Sequence, residues 1–206
     1  MSRTWDFFYP DVLPDVLGCP EPTVDRHLIR AARRLCAESR CWRESLDPIL
    51  LTAGEAAYHI DYPKYAEGEL IVGAVLDGVQ IGVEGPDDTE AADHASGGRE
   101  RVTSPDLVTV LLMPTPAASG GSLVLEAILK PTEAAESLPN EVADRYRSVI
   151  AGGALATLLK GNRAPWANPA LAVDKEGEFR AAIAKARDRA WKGNTTVRKR
   201  TRAQFF

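Results

Sequence analysis

Three histidines, three cysteines and one cluster of acids are the places where this sequence could hold chemistry, and their spacing decides whether it does. His27, His59 and His94 are far apart and fall on a predicted helix, strand and loop; a metal centre or a Cys–His nucleophile would need them to converge. His27 and His59 read instead as ordinary polar or half-buried positions. Cys19, Cys36 and Cys41 are odd in number and lack CxxC spacing, which fits free thiols in a reducing compartment better than a disulfide frame. Cys36, on a helix, reads as a small buried hydrophobe. The acids Asp87, Asp88, Glu90 and Asp93 lack the sixth-position glycine and twelfth-position glutamate of an EF-hand, so they read as a solvated loop. Gly82-Val83-Glu84-Gly85 imitates a GxxG nucleic-acid loop, but it ends a strand among acids that repel phosphate. No GxSxG elbow, GxxxxGK[ST] loop, HExxH or GxGxxG occurs. The expectation is a chain that is not an enzyme and has no cofactor and no bound metal; the rival is an enzyme whose site forms at a subunit boundary, where acidic side chains converge.

Charge points elsewhere. Residues 192–206 hold five of the 25 Lys and Arg and no acid, leaving 20 basic against 29 acidic side chains before them. An acidic body argues against nucleic-acid binding over a broad face. The basic end, "TTVRKRTRAQFF", permits an arm that seeks an acidic neighbour, including another copy of this chain, or else a solvated terminus. With 206 residues and 45% hydrophobic content the chain can bury one good core, or one core and a satellite. No run approaches the roughly 18 apolar residues of a membrane span, and the first residues lack a signal-peptide pattern, so a soluble, unexported protein is expected.

These residues need elements to hold them. "PTVDRHLIRAARRLCAESRCW" (22–42) places Val24, Leu28, Ala32, Leu35, Cys36 and Trp42 on one helical stripe, with Thr23 as the predicted N-cap. From about residue 48 the pattern changes to about six short strands, with Asp77-Gly78 as a tight hairpin turn. "LPNEVADRYRSVIAGGALATLLKGN" predicts a helix from Pro139 to Gly161 in which Gly152-Gly153 implies close approach of a second helix. "NPALAVDKEGEFRAAIAKARDRAWKGN" predicts that helix, capped by Asn168 and ending at Gly193. The fold class expected is α+β: a helical bundle, made of an N-terminal helix plus a C-terminal helical hairpin, with an inserted antiparallel β module and extended terminal arms. In residues, this is an aromatic N-terminal arm (1–19), a helical domain (20–47 and 131–192), a β domain (48–130) with a long loop (85–105), and a basic, aromatic C-terminal arm (193–206). Trp5, Phe7, Phe8, Tyr9 and Trp191 are the candidate subunit-contact residues, because aromatics at helix ends and on arms anchor interfaces as readily as they pack core edges.

The stretch "DVLPDVLGCPEPTVDRHLIRAARRLCAESRCWRESLDPIL" (11–50), the pair "LPNEVADRYRSVIAGGALATLL" and "PWANPALAVDKEGEFRAAIAKARDRA", and the closing "RKRTRAQFF" resemble the head-to-tail adaptor (connector) proteins of tailed bacteriophages. The resemblance covers both helical ends, somewhat over half the chain, and matches the middle β module only in kind. It implies a virion structural protein, assembled in the host cytoplasm, that forms a ring with its own copies, commonly a dodecamer. The ring would lie beneath the portal protein, extend the DNA channel, and meet a downstream tail or nozzle protein. Genomic DNA would pass without specific binding, and no membrane is involved. Carried over by position, Arg198, Lys199, Arg200, Arg202, Phe205 and Phe206 would be the portal-binding arm. Two alternatives stay open: a tail-completion or stopper component one layer further out, and a nucleic-acid-binding module that uses the basic tail.

Overall fold

Proline placement shapes the first twenty residues. In the computed structural model, which describes residues 1–85, 100–161 and 164–192, strand β1 (Ser2–Thr4) leads into a 3-10 turn (Trp5–Phe8), the short helix α1 (Tyr9–Val12) and a second 3-10 turn (Leu13–Asp15). Pro10 and Pro14 sit in the first turns of the latter two, where a missing N–H costs nothing, and they stop either piece from growing into a long helix. The chain divides into two units, one made of Met1–Cys41 and the segment from Glu136 onward, the other of Trp42–Ala135.

The first unit is built on three long helices. Helix α2 (Glu21–Ser39) buries Val24, Leu28, Ala31, Ala32, Leu35, Cys36 and Ser39. It starts two residues before Thr23, with Pro20 at the N-cap, because Pro22 presets the first turn. Its end is set by Arg40, held in the left-handed region at φ 58 with its N–H on the Cys36 carbonyl (2.9 Å). Helix α3 (Asn140–Leu158) breaks helical geometry at Tyr146 and stops three residues short of Gly161. Helix α4 (Pro169–Trp191) begins as the spacing predicts: the Asn168 side chain accepts from the Leu171 N–H at 3.2 Å and Pro169 follows. Strand β1 pairs antiparallel with β10 (Ser137–Pro139), Arg3 opposite Leu138.

The second unit is a curled mixed sheet of eight strands. These are β2 (Arg43–Ser45), β3 (Ile49–Leu50), β4 (Ala57–His59), β5 (Ala66–Leu76), β6 (Val79–Val83), β7 (Arg101–Thr103), β8 (Thr109–Met113) and β9 (Ser122–Pro131). Their order is β2-β9-β5-β6-β7-β8-β4, with β3 also on β9. Strand β9 alternates from Ser122 to Ala127 and then buries Ile128 as well, with Leu123, Leu125, Ala127 and Leu129 fully buried on its covered face. The β5–β6 hairpin turns on Asp77 (φ 48) and Gly78 (φ 84), two consecutive positive φ values that match the right-handed twist of the flanking strands.

The expected fold class is therefore corrected. The β part is no small antiparallel insert in a helical bundle but a large mixed sheet, in which β6 and β7 run parallel. A parallel neighbour needs a connection of a dozen residues or more, which the chain between Val83 and Arg101 supplies. The residues expected as an extended aromatic N-terminal arm instead form short helical turns whose Trp5 and Phe8 are buried. A solvated arm would leave those two rings in water at a cost of about 1.5–3 kcal/mol each relative to burial.

Candidate functional site

The first unit concentrates the candidate residues, and it holds them by cation–aromatic and ionic contacts around the N-terminal turn. Trp5 is 5% exposed and Phe8 fully buried, their ring centroids 5.9 Å apart, with Phe7 edge-on to Phe8 at 5.3 Å. Phe7 also lies under two guanidiniums, that of Arg147 at 4.4 Å and that of Arg3 at 4.9 Å. Each arginine is tied in turn: Arg147 Nε donates to Asp11 Oδ2 at 2.6 Å and Arg3 Nε to Asp144 Oδ1 at 3.1 Å. The Tyr9 hydroxyl donates to Asp25 Oδ1 at 2.9 Å, and burial followed by that bond pushes its pKa well above the ordinary tyrosine value. Of the five aromatics singled out as contact residues, Trp191, at the end of α4, is the most exposed, at 68%.

Helices α3 and α4 leave a groove of about 450 Å³ beside the N-terminal turns. Asp11, Asp15 and Glu178 give its rim negative charge, Lys175 sits among them and bonds Glu178 at 3.1 Å, and Gly152, Leu155 and Phe179 line its apolar part. A Cβ added at Gly152 would meet nothing within 4 Å, so this glycine opens the groove instead of admitting a neighbouring helix. The lining includes no histidine or cysteine. The sequence gives no local signal for this groove except the glycine pair.

His27 and His59 fall in different units. His27, on α2, places its Nδ1 2.6 Å from the Thr157 hydroxyl, and that hydroxyl donates to the Ala154 carbonyl (2.9 Å), so Nδ1 carries the hydrogen and donates. Burial, then Arg30 and Arg26, lowers the His27 pKa. His59 lies on β4, in the other unit, 3.7 Å from Asp61 with its side chain exposed. His94, the acids Asp87, Asp88, Glu90 and Asp93, and the arm residues Arg198, Lys199, Arg200, Arg202, Phe205 and Phe206 lie outside the described residues. Among the described residues, no group of three or more His, Cys, Asp or Glu could hold a metal ion, and no helix is long and apolar enough to cross a membrane. No protein-family model matches the chain, and no curated protein is significantly similar to it.

Proposed function

We propose that the chain is a virion structural protein, a head-to-tail adaptor that forms a ring beneath the portal of a tailed phage, extends the DNA channel and connects capsid to tail. The observation that carries this reading is how α4 ends. A 23-residue helix, anchored by Phe179, Ile183 and Ala186, finishes at an exposed Trp191, and the basic, aromatic segment follows directly in the sequence. That order of elements is also what resembles the adaptor family.

Residues 193–206 reach about 50 Å when extended, enough to cross onto a neighbouring subunit or the portal. Phe205 and Phe206 bury on the order of 150–250 Å² each in a partner groove, or a few kcal/mol at about 25 cal/mol per Å². Arg198, Lys199, Arg200 and Arg202 chiefly align the segment, since an exposed pair contributes about 0–1 kcal/mol. After the entropy of ordering, one segment binds weakly. A ring of them binds strongly through multivalency. The acidic remainder of the chain suits a channel along which DNA must slide without adhering.

The test is portal binding by the full chain and by a chain ending at Asn194, with electron micrographs of each alone and mixed with portal. Rings that attach to portal only when residues 195–206 are present support the reading. Full portal affinity in the truncated chain overturns the docking role, and salt-dependent retention of duplex DNA that disappears on truncation replaces it with a nucleic-acid-binding module.

A further inference from the structure

Charge and reach single out an occupant for the groove between α3 and α4. The groove lies wholly within the first unit, and its volume of about 450 Å³ falls in the range of roughly 300–1,000 Å³ found for recesses that hold a ligand. Three carboxylates, Asp11, Asp15 and Glu178, stand on its rim against one ammonium, Lys175, a balance of minus two. Two of the three are engaged, Asp11 with Arg147 at 2.6 Å and Glu178 with Lys175 at 3.1 Å. Asp15 is exposed and makes no ion pair among the described residues, so it can accept a cation without displacing another. Val149, Gly152 and Leu155 give the groove an apolar wall, and Gly152 leaves open space where a Cβ would stand.

The residues that follow α4 match this groove in order. Lys185 and Arg189, three and seven positions beyond Ala182, continue the stripe of α4 that lines the groove, and both are exposed. A chain that turns back along α4 from Lys192 passes those two cations before it reaches the groove. Residues 193–197, Gly-Asn-Thr-Thr-Val, are uncharged. Extended, they span about 17 Å, against about 15 Å of helix from Lys192 back to Ala182. Arg198, Lys199, Arg200 and Arg202 then come level with the carboxylates, and Phe205 and Phe206 follow within reach of the apolar wall. We propose that the groove is the docking site of residues 198–206 of its own chain, a strap that doubles back along α4 with its cations on Asp15 and the rim and its phenyl rings against Val149, Gly152 and Leu155. Joined by so short a link, the segment meets the groove at an effective concentration on the order of millimolar, which favours the chain's own segment over that of a second copy in dilute solution. The contact belongs to the unassembled chain and does not rest on portal docking. A portal, or any other surface that takes the segment, must first displace it from the groove.

The experiment puts photoreactive benzoylphenylalanine in place of Phe205 in the full chain and irradiates it in dilute solution without portal. The expected result is an adduct within one chain that maps to the groove, on residues 149–155 of α3 or around Ala182 of α4, and whose yield falls severalfold in high salt. Tryptic cleavage after Arg198, Lys199, Arg200 and Arg202 reads the same contact without a label, because proteolysis follows the population of undocked segment. Relative to the wild type, cleavage should run about threefold faster in Asp15→Asn, which removes one exposed charge pair, and about tenfold faster in Gly152→Phe, which fills the groove. Circular dichroism confirms that each variant is folded. The proposal is overturned if the adducts join two chains, which would seat a second copy's segment in the groove, if they map outside the groove, or if trypsin cuts all three chains at one rate. Portal binding enters none of these readouts, so their failure and the failure of portal docking are told apart.

Discussion

Gly153 of α3 faces the ring of Phe179 of α4 so closely that a Cβ at Gly153 would lie 2.7 Å from two of its ring carbons. The preceding glycine, Gly152, has open space at the same position. Two adjacent glycines in one helix thus serve opposite purposes, and substitution separates them. Gly153→Ala drives a methyl into a ring that is 3% exposed, so the ring or the helix must shift, and it should cost about 1–3 kcal/mol. Gly152→Ala keeps the groove wall clear of clashes and removes the helix penalty of glycine, so it should gain up to about 1 kcal/mol. Urea unfolding of both variants checks the pair; equal effects of either sign would show that the helices do not approach at Gly153.

Glu176, on the same helix, links stability to acid. Burial opposes its ionisation, but Arg180 and Arg34 donate to its carboxylate, with Arg34 Nη1 2.9 Å from Oε1, and the balance lowers its pKa below the ordinary value of 4.5. A carboxyl with a depressed folded-state pKa stabilises the fold fully above its unfolded value, and that contribution fades as pH falls through the folded one. Acid unfolding of the wild type should therefore steepen below about pH 4.5, and Glu176→Gln should flatten that limb while lowering stability at neutral pH. Thermal melts across pH 3–7 read both effects; parallel curves for the two chains would remove Glu176 from the linkage.

What could be read from the residues beforehand divides along the same physical lines. Helix α4 was legible because its signals are local: Asn168 before Pro169 at one end and a stripe through Phe179, Ile183 and Ala186. Asp77-Gly78 was legible for the same reason, since the pair itself favours two positive φ values. The N-terminal turns were not, because Pro10 and Pro14 cut "WDFFYPDVLPD" into pieces too short to show a period, and whether Trp5 and Phe8 are inside depends on packing against α2 and α3, the latter more than a hundred residues away. The size and mixed character of the sheet were hidden similarly. Strands of two or three residues, such as Ile49–Leu50 and Arg101–Thr103, carry no alternation worth reading, and a parallel pairing is a non-local choice. The end of α2 hinges on a left-handed Arg40, an arginine where that conformation is ordinarily signalled by glycine or asparagine.

The sheet carries its own test in Arg101, whose side chain is 6% exposed and whose Nε lies 3.0 Å from Glu84 Oε2. Neither atom of the pair meets hydrogen-bond geometry, so this contact is Coulombic attraction between two partly desolvated charges and not a directed bond. Strand β7 is buried along its whole length, and a charge inside it is tolerated only while its counter-charge stays. Removing one partner should then cost more than removing both. Arg101→Met keeps the aliphatic volume but leaves Glu84 unbalanced, and should destabilise by about 2–3 kcal/mol. Adding Glu84→Gln to that variant should recover a part of the loss on the order of 1 kcal/mol, because the stranded charge goes with it. Guanidinium unfolding of the wild type, the two single variants and the double variant closes the cycle. Strictly additive losses would mean that the two side chains do not sense each other, and that Arg101 is held by other contacts in the sheet.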